Sequence, residues 1–367
     1  MTTAGTAKTK TVNVALQGGG AHGALAWGIL DALLEDGRIE IEGLSASSAG
    51  TMNALAFTQG LQEGGRDGAR AKLEEFWWET SKAGALFSPV HGNPIKRFFG
   101  LGSGENPYSY FMFDTMTRIF SPYQFNPFDI NPLKNVLDKV IDFERVQSCD
   151  KMKLFVSATN VRTGKVKVFS TEEINLDVAL ASSCLPFLFK SIEIDGEYYW
   201  DGGYTGNPAL YPLFYRTQTR DVVIIHINPL YREEIPTTAP AIMNRINEIS
   251  FNDSLLKELR AVAFVKKLIE HDMIRDEYKH MYKDVLIHSV RADDMMKEFS
   301  ITSKFDTDWE FLTTLRDSGR AGMKIWLEQH FDNLCEKSSI DLHEEFLKDK
   351  GTHFFSEEHK NGKKKNA

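Results

Sequence analysis

Twice within its first sixty residues this chain runs strand, small-residue turn, helix, and that alternation constrains the fold more than any other feature. Thr11 to Leu16 alternates β-branched and apolar residues and reads as a strand, ended by the run Gln17-Gly18-Gly19-Gly20. Leu25, Ile29, Leu30, Leu33 and Leu34 then recur at helical spacing over Ala24 to Glu35, until Asp36-Gly37 stops the helix. A second short strand is predicted at Ile39 to Leu44, then a turn of small residues and a helix from Ala49 to about Gln59. Strands that alternate with helices form a parallel sheet, so the fold class is α/β, a mainly parallel sheet flanked by helices.

Further along, the texture changes twice. Residues 66–80 read as another helix, bearing Trp77 and Trp78, which are expected to be core rather than a ligand cage. Leu86 to Pro132 is dense in Phe, Tyr, Pro, Gly and Asn, with little periodicity outside a short helix near Asp114 to Ile119. A long irregular stretch so rich in rings is expected to be a lid or binding loop, with Phe98-Phe99 and Tyr108 to Phe113 set beside Lys96 and Arg97. Strands are predicted at Lys153 to Ser157 and Lys165 to Phe169, as a hairpin at Ile192 to Ile194 and Tyr198 to Trp200, and at Val222 to Ile227. After about Pro236 helices take over, at Ile246 to Glu270 and Ser318 to Lys337, before a polar tail from His359 to Ala367.

Bulk properties exclude several functions. A net charge of −8 argues against a nucleic-acid partner, which calls for a basic surface. Cys149, Cys184 and Cys335 fit neither a disulfide framework nor a metal spacing and read as reduced thiols. Met1 to Lys10 is followed by no apolar run of signal-peptide length, and no segment approaches the roughly 20 apolar residues of a spanning helix. The expectation is a cytoplasmic protein, with room for peripheral contact with a membrane and for export without a cleaved signal.

Three places carry chemistry. Gly18-Gly19-Gly20-Ala21-His22-Gly23 lies between a strand and a helix, where consecutive glycines present bare N–H groups and the helix adds its positive end. Such a loop holds a phosphate, or the oxyanion that forms when an acyl carbonyl is attacked. Gly18, Gly20 and Gly23 also satisfy the dinucleotide fingerprint, with Glu40 and Glu42 near the offset of a ribose-binding acid, so this loop alone leaves both readings open. Ala46-Ser47-Ser48-Ala49-Gly50 follows the nucleophile-elbow pattern G-x-S-x-G with Ala46 at the first glycine. Ser48 is preferred to Ser45 and Ser47 because Gly50 stands two residues after it and a helix begins there; the plainer reading is a serine-rich helix cap. Asp201-Gly202-Gly203 leaves a strand with little crowding around its carboxylate, and is otherwise an ordinary turn. His226 stands after Asp201 in the Ser…Asp…His order of a hydrolase triad, yet its apolar strand marks it as a satisfied core residue. His271, His280 and His288 lie in helical or connecting sequence without metal spacing.

In combination the three places resemble the patatin-like phospholipases: a glycine-rich loop, a serine elbow about two dozen residues later, and a distal Asp-Gly-Gly. Ser182-Ser183-Cys184-Leu185-Pro186-Phe187, Asp195-Gly196 and Asn207-Pro208 are similar to that family's surroundings of its aspartate, and the likeness runs from about Thr11 to Leu210. The resemblance implies a three-layer α/β/α sandwich and a Ser–Asp dyad without a histidine. Ser48 would be the nucleophile and Asp201 the base, with the N–H groups of Gly19, Gly20 and Ala21 as oxyanion hole. Gly18, Gly23, Gly50, Gly202 and Gly203 would support these motifs, and no metal or cofactor is implied. His22 stands where many members carry arginine and is expected to stabilise the loop or face solvent. A serine hydroxyl needs a neighbouring base to become a nucleophile, and burial raises the basicity of an aspartate.

The implied activity is lipid acyl hydrolysis of phospholipase A or lysophospholipase type, on a phospholipid or another acyl ester. The organisation expected is a catalytic domain over 11–210, with the aromatic insertion at about 86–132. Residues 211–367 would add a final strand, helices and the polar tail. Two other classes compete: a non-catalytic lipid-binding or scaffold protein on the same fold, and a Rossmann-type nucleotide-binding oxidoreductase.

Overall fold

The computed structural model describes residues 9–87, 120–296, 299 and 302–347. The helix near Asp114 to Ile119, the rings at Phe98, Phe99 and Tyr108 to Phe113, and the tail from His359 lie outside the described residues. The first strand–helix pair forms as expected, with β1 at Lys10–Leu16 and α1 at Gly23–Asp36. Gly37, at φ 77°, ends α1 by returning its N–H to the Leu33 carbonyl. β2 (Ile39–Ala46) leads into α2 (Ala49–Phe87), which joins the two expected helices across a break at Gly64 and Gly65. There follow α3 (Pro132–Val140), β3 (Lys153–Asn160), β4 (Val166–Ser170), α4 (Leu176–Ser182), β5 (Ile192–Ile194) and β6 (Glu197–Asp201). Last come β7 (Asp221–Ile225), α5 (Ala239–Glu270), β8 (Leu286–Val290) and α6 (Trp309–His330).

Among the described residues eight strands form one sheet, ordered β5-β6-β3-β2-β1-β7-β8, with β4 on the other edge of β3. The central pairs β3–β2, β2–β1, β1–β7 and β7–β8 are parallel, while β4, β6 and β5 pair antiparallel. Alternate side chains of the central strands enter two separate cores, which defines three layers. Val12, Val14 and Leu16 of β1 and Val223 and Ile225 of β7 join the core beneath α1, α2 and α6. Ala15, Val222 and Ile224 enter the opposite core with Leu255 and Leu259 of α5. Asn13, on that second face, is buried; its Nδ2 donates to Thr217 Oγ1 at 2.9 Å, while its Oδ1 has no partner among the described residues.

Several elements depart from expectation for local reasons. α5 begins at Ala239 rather than Ile246, where Thr238 caps it by accepting from the Ala241 N–H. α6 begins at Trp309 rather than Ser318 because the Asp308 carboxylate caps the Glu310 N–H, and it ends at His330. β8 was not expected at all: it is short and carries His288 and Ser289, so neither length nor alternation marks it. His288 therefore lies in a buried strand, not in helical or connecting sequence, and its Nε2 pairs with Asp221 Oδ1 at 2.9 Å.

Candidate active site

The sheet register sets Ser48 and Asp201 at the same height. On β3, Val156 pairs with Ala46 of β2, and two residues further Ala158 pairs with Asp201 of β6. β4 occupies the opposite edge of β3 over this stretch, so β6 takes the place that β2 leaves when it ends. The chain that leaves β2 at Ala46 turns through Ser47 and Ser48 directly against the end of β6. Ala46 itself is a strand residue without positive φ, so a methyl group at the elbow's first position costs nothing.

Ser48 carries the strain of the turn. Its φ is 54°, a left-handed conformation uncommon for a residue with a Cβ, and it is 8% exposed. Its N–H donates to both the hydroxyl and the carbonyl oxygen of Ser182, at 3.0 and 3.1 Å, so the end of α4 holds the elbow. Ser47 turns inward instead: its hydroxyl is fully buried beside Gly202, without a hydrogen-bond partner among the described residues. The glycine loop approaches so closely that a Cβ on Gly18 would lie 2.5 Å from the Ser48 Cβ, which only glycine permits. The Gly18 N–H is taken by Asn207 Oδ1 at 2.7 Å. Among the described residues the N–H groups of Gly19, Gly20 and Ala21 donate to nothing.

Asp201 is fully buried. Its N–H donates to the Cys184 carbonyl at 2.8 Å, and Oδ1 accepts the Gly203 N–H at 2.7 Å. Burial pushes its carboxyl up to about 7, against the opposing pull of the Gly203 N–H, the Ser48 hydroxyl and the Lys304 ammonium. Oδ2 makes no hydrogen bond in the described structure, although the Ser48 hydroxyl lies near enough to draw the Asp201 carboxyl downward. The arrangement joins a hydroxyl on a strained residue, a buried carboxyl of raised pKa and unspent N–H donors.

Other polar residues here gave no signal in the sequence. Asn228 donates to the Gly18 carbonyl at 2.8 Å, Gln17 accepts the N–H groups of Ile227 and Asn228, and Lys304 donates to Asn228 Oδ1 at 3.0 Å. His22 is 3% exposed rather than solvent-facing; its Nε2 meets Ser303 Oγ at 2.7 Å, and burial lowers it to about 3, so the ring is neutral. His226 is buried, but neither ring nitrogen finds a partner among the described residues and the ring stacks on Phe346; it is a core residue, not a satisfied one. Trp77 is core, bonded to Asn53 at 2.9 Å, whereas Trp78 is 43% exposed and packs edge-on against Trp309. No group of three or more His, Cys, Asp or Glu among the described residues is placed to share a cation. None of their helices is long and apolar enough to cross a membrane.

A sheet of this order with a glycine loop and a serine elbow at its parallel strand ends defines the class, and the comparison with known families agrees. The family model described as patatin-like phospholipase matches residues 14–214, more than half the chain, and the chain belongs to that family of lipid acyl hydrolases. Among solved structures it is similar to VipD from Legionella pneumophila, at 15% identity and a TM-score of 0.41, covering 88% of this chain and 67% of that one. It is also similar to the structure of full-length SpcU in complex with full-length ExoU from the type III secretion system of Pseudomonas aeruginosa. That likeness is at 14% identity and a TM-score of 0.32, over 88% of this chain and about half, 54%, of the other. No curated protein gives a significant sequence match.

Proposed function

We propose that the protein hydrolyses acyl esters of phospholipid or lysophospholipid, with Ser48 as nucleophile and Asp201 as base. One observation carries this reading: of the serines in the turn, only Ser48 adopts positive φ, and it does so level with a buried aspartate of raised basicity. Asp201 takes the Ser48 proton as Oγ attacks the acyl carbonyl, and the free N–H groups of Gly19, Gly20 and Ala21 receive the developing oxyanion. The tetrahedral adduct collapses to an acyl-serine while Asp201 returns the proton to the departing lipid oxygen. Water then repeats the sequence, with Asp201 as base, and releases the fatty acid. Working on such a substrate brings the protein to a lipid surface.

The two rival readings find less support. A strand conformation at Ala46 removes the reason to suspect an inert elbow. The nucleotide reading places Glu40 and Glu42 at the start of β2, at the opposite end of the parallel pair from the glycine loop, and Glu42 is already spent on the N–H groups of Gln218 and Thr219. A fluorophosphonate probe tests the assignment, because only an activated serine reacts. Wild type and Ser47→Ala are expected to be labelled and to release fatty acid, and Ser48→Ala to do neither while melting normally. Labelled, active Ser48→Ala beside silent Ser47→Ala would move the nucleophile by one residue.

A further inference from the structure

A 3-10 turn at Thr302–Phe305, far beyond the family-matched residues, lies over the glycine loop. Its contacts reach both halves of the site. Ser303 meets His22, and the Lys304 carbonyl sits where a Cβ on Gly20, itself at φ 61°, would lie 2.4 Å away. The Lys304 ammonium donates to Asn228 Oδ1, and Asn228 in turn donates to the Gly18 carbonyl. The same ammonium stands 5.9 Å from the centre of the Phe251 ring. That ring packs so tightly on Gly203 that a Cβ there would meet it at 2.3 Å, and the Gly203 N–H binds Asp201.

We propose that Lys304 is a positioning residue for the reaction: through Asn228 it fixes the glycine loop, and from beside the Phe251 ring that packs on Gly203 its charge acts on the Asp201 carboxylate. This rests on the Ser48–Asp201 reading. The charged groups acting on Lys304 are Glu248, Arg232 and Asp201. Glu248 is already held by Arg232 at 2.6 Å and Arg245 at 3.1 Å, so its charge is shared between two guanidinium groups. His22 also faces the ammonium and remains neutral. Burial lowers Lys304 to about 8, and its charge in turn draws the Asp201 carboxyl down from where burial alone would put it. A neutral substitute therefore raises the Asp201 pKa, and the acid-side loss of activity moves to higher pH.

The test is the pH profile of kcat/KM on a soluble short-chain ester for wild type, Lys304→Arg, Lys304→Gln and Lys304→Met, with melting temperatures measured in parallel. Gln preserves a donor for Asn228 and Met does not, so either variant decides if the other fails to fold. The acid limb should move upward by about half a unit to one unit in the neutral variants, a threefold to tenfold loss on that limb, and stay in place in Lys304→Arg. A folded neutral variant whose acid limb coincides with wild type overturns the proposal. Asp201→Asn separates this from the dyad itself: if that variant still turns over, the dyad reading fails, whatever Lys304 does.

Discussion

At Asp201 the demands of reactivity and stability oppose each other. The group titrates near 7 in the folded protein against an ordinary value of 3.8, so the folded state binds its proton more tightly than the unfolded chain does. The stability associated with that proton is fully present below about pH 3.8 and is lost as pH rises through about 7. Asp201→Asn removes the buried charge while leaving an oxygen to accept from Gly203. It should therefore raise the melting temperature at pH 8, by a stabilisation on the order of a few kcal/mol, and change it little at pH 4. Equal melting shifts at the two pH values would show that the carboxylate is not destabilising. Ser48 and Asp201 were legible in the sequence because each is flanked by small residues at a strand end. Lys304 and Asn228 were not, because nothing beside them in the chain announces the contacts by which Lys304 reaches Asn228 and Asn228 reaches Gly18.

Among elements, the pairing of α1 with α6 turns on backbone contact. A Cβ on Gly28 would lie 1.8 Å from the Arg316 carbonyl, and one on Gly319 would lie 2.2 Å from the Leu25 carbonyl, so the two helices touch without side chains between them. Gly319→Val should force them apart and destabilise the protein by about 3 kcal/mol. Gly322, on the same helix, has nothing within 4 Å of a Cβ, and Gly322→Ala should instead stabilise by roughly 0.5–1 kcal/mol through helix propensity. Denaturant unfolding of the two variants checks the sign of each; destabilisation of similar size in both would mean the contact is not what matters. Periodicity revealed that a helix exists here but not where it begins, since Asp308 and Trp309 precede the clearest repeat. It missed β8 because five buried residues that include a histidine and a serine look like neither a strand nor a helix.

For the molecule as a whole, the family-matched residues are not a closed unit. Leu312, Leu315, Met323, Trp326 and Leu327 belong to the same core as Trp27 and Leu30 of α1, and β8 completes the sheet beside β7. A fragment ending at residue 235 keeps Ser48 and Asp201 and loses β8, α6 and Lys304. It should lack a cooperative thermal transition and resist fluorophosphonate labelling. Labelling as fast as that of the intact chain would show that the first part folds and works alone.

The long reach between Gly18 and Lys304 also has a consequence in time. A ribosome releases Ser48 and Asp201 well before the turn at Thr302–Phe305, and contacts of such separation close late. On the Ser48–Asp201 reading, a growing chain carries both groups from residue 201 until the turn at Thr302–Phe305 is made, without a finished centre. On the proposed reading the centre is completed last, and a chain that stops before residue 300 would carry Ser48 and Asp201 without the turn that ties Lys304 through Asn228 to Gly18.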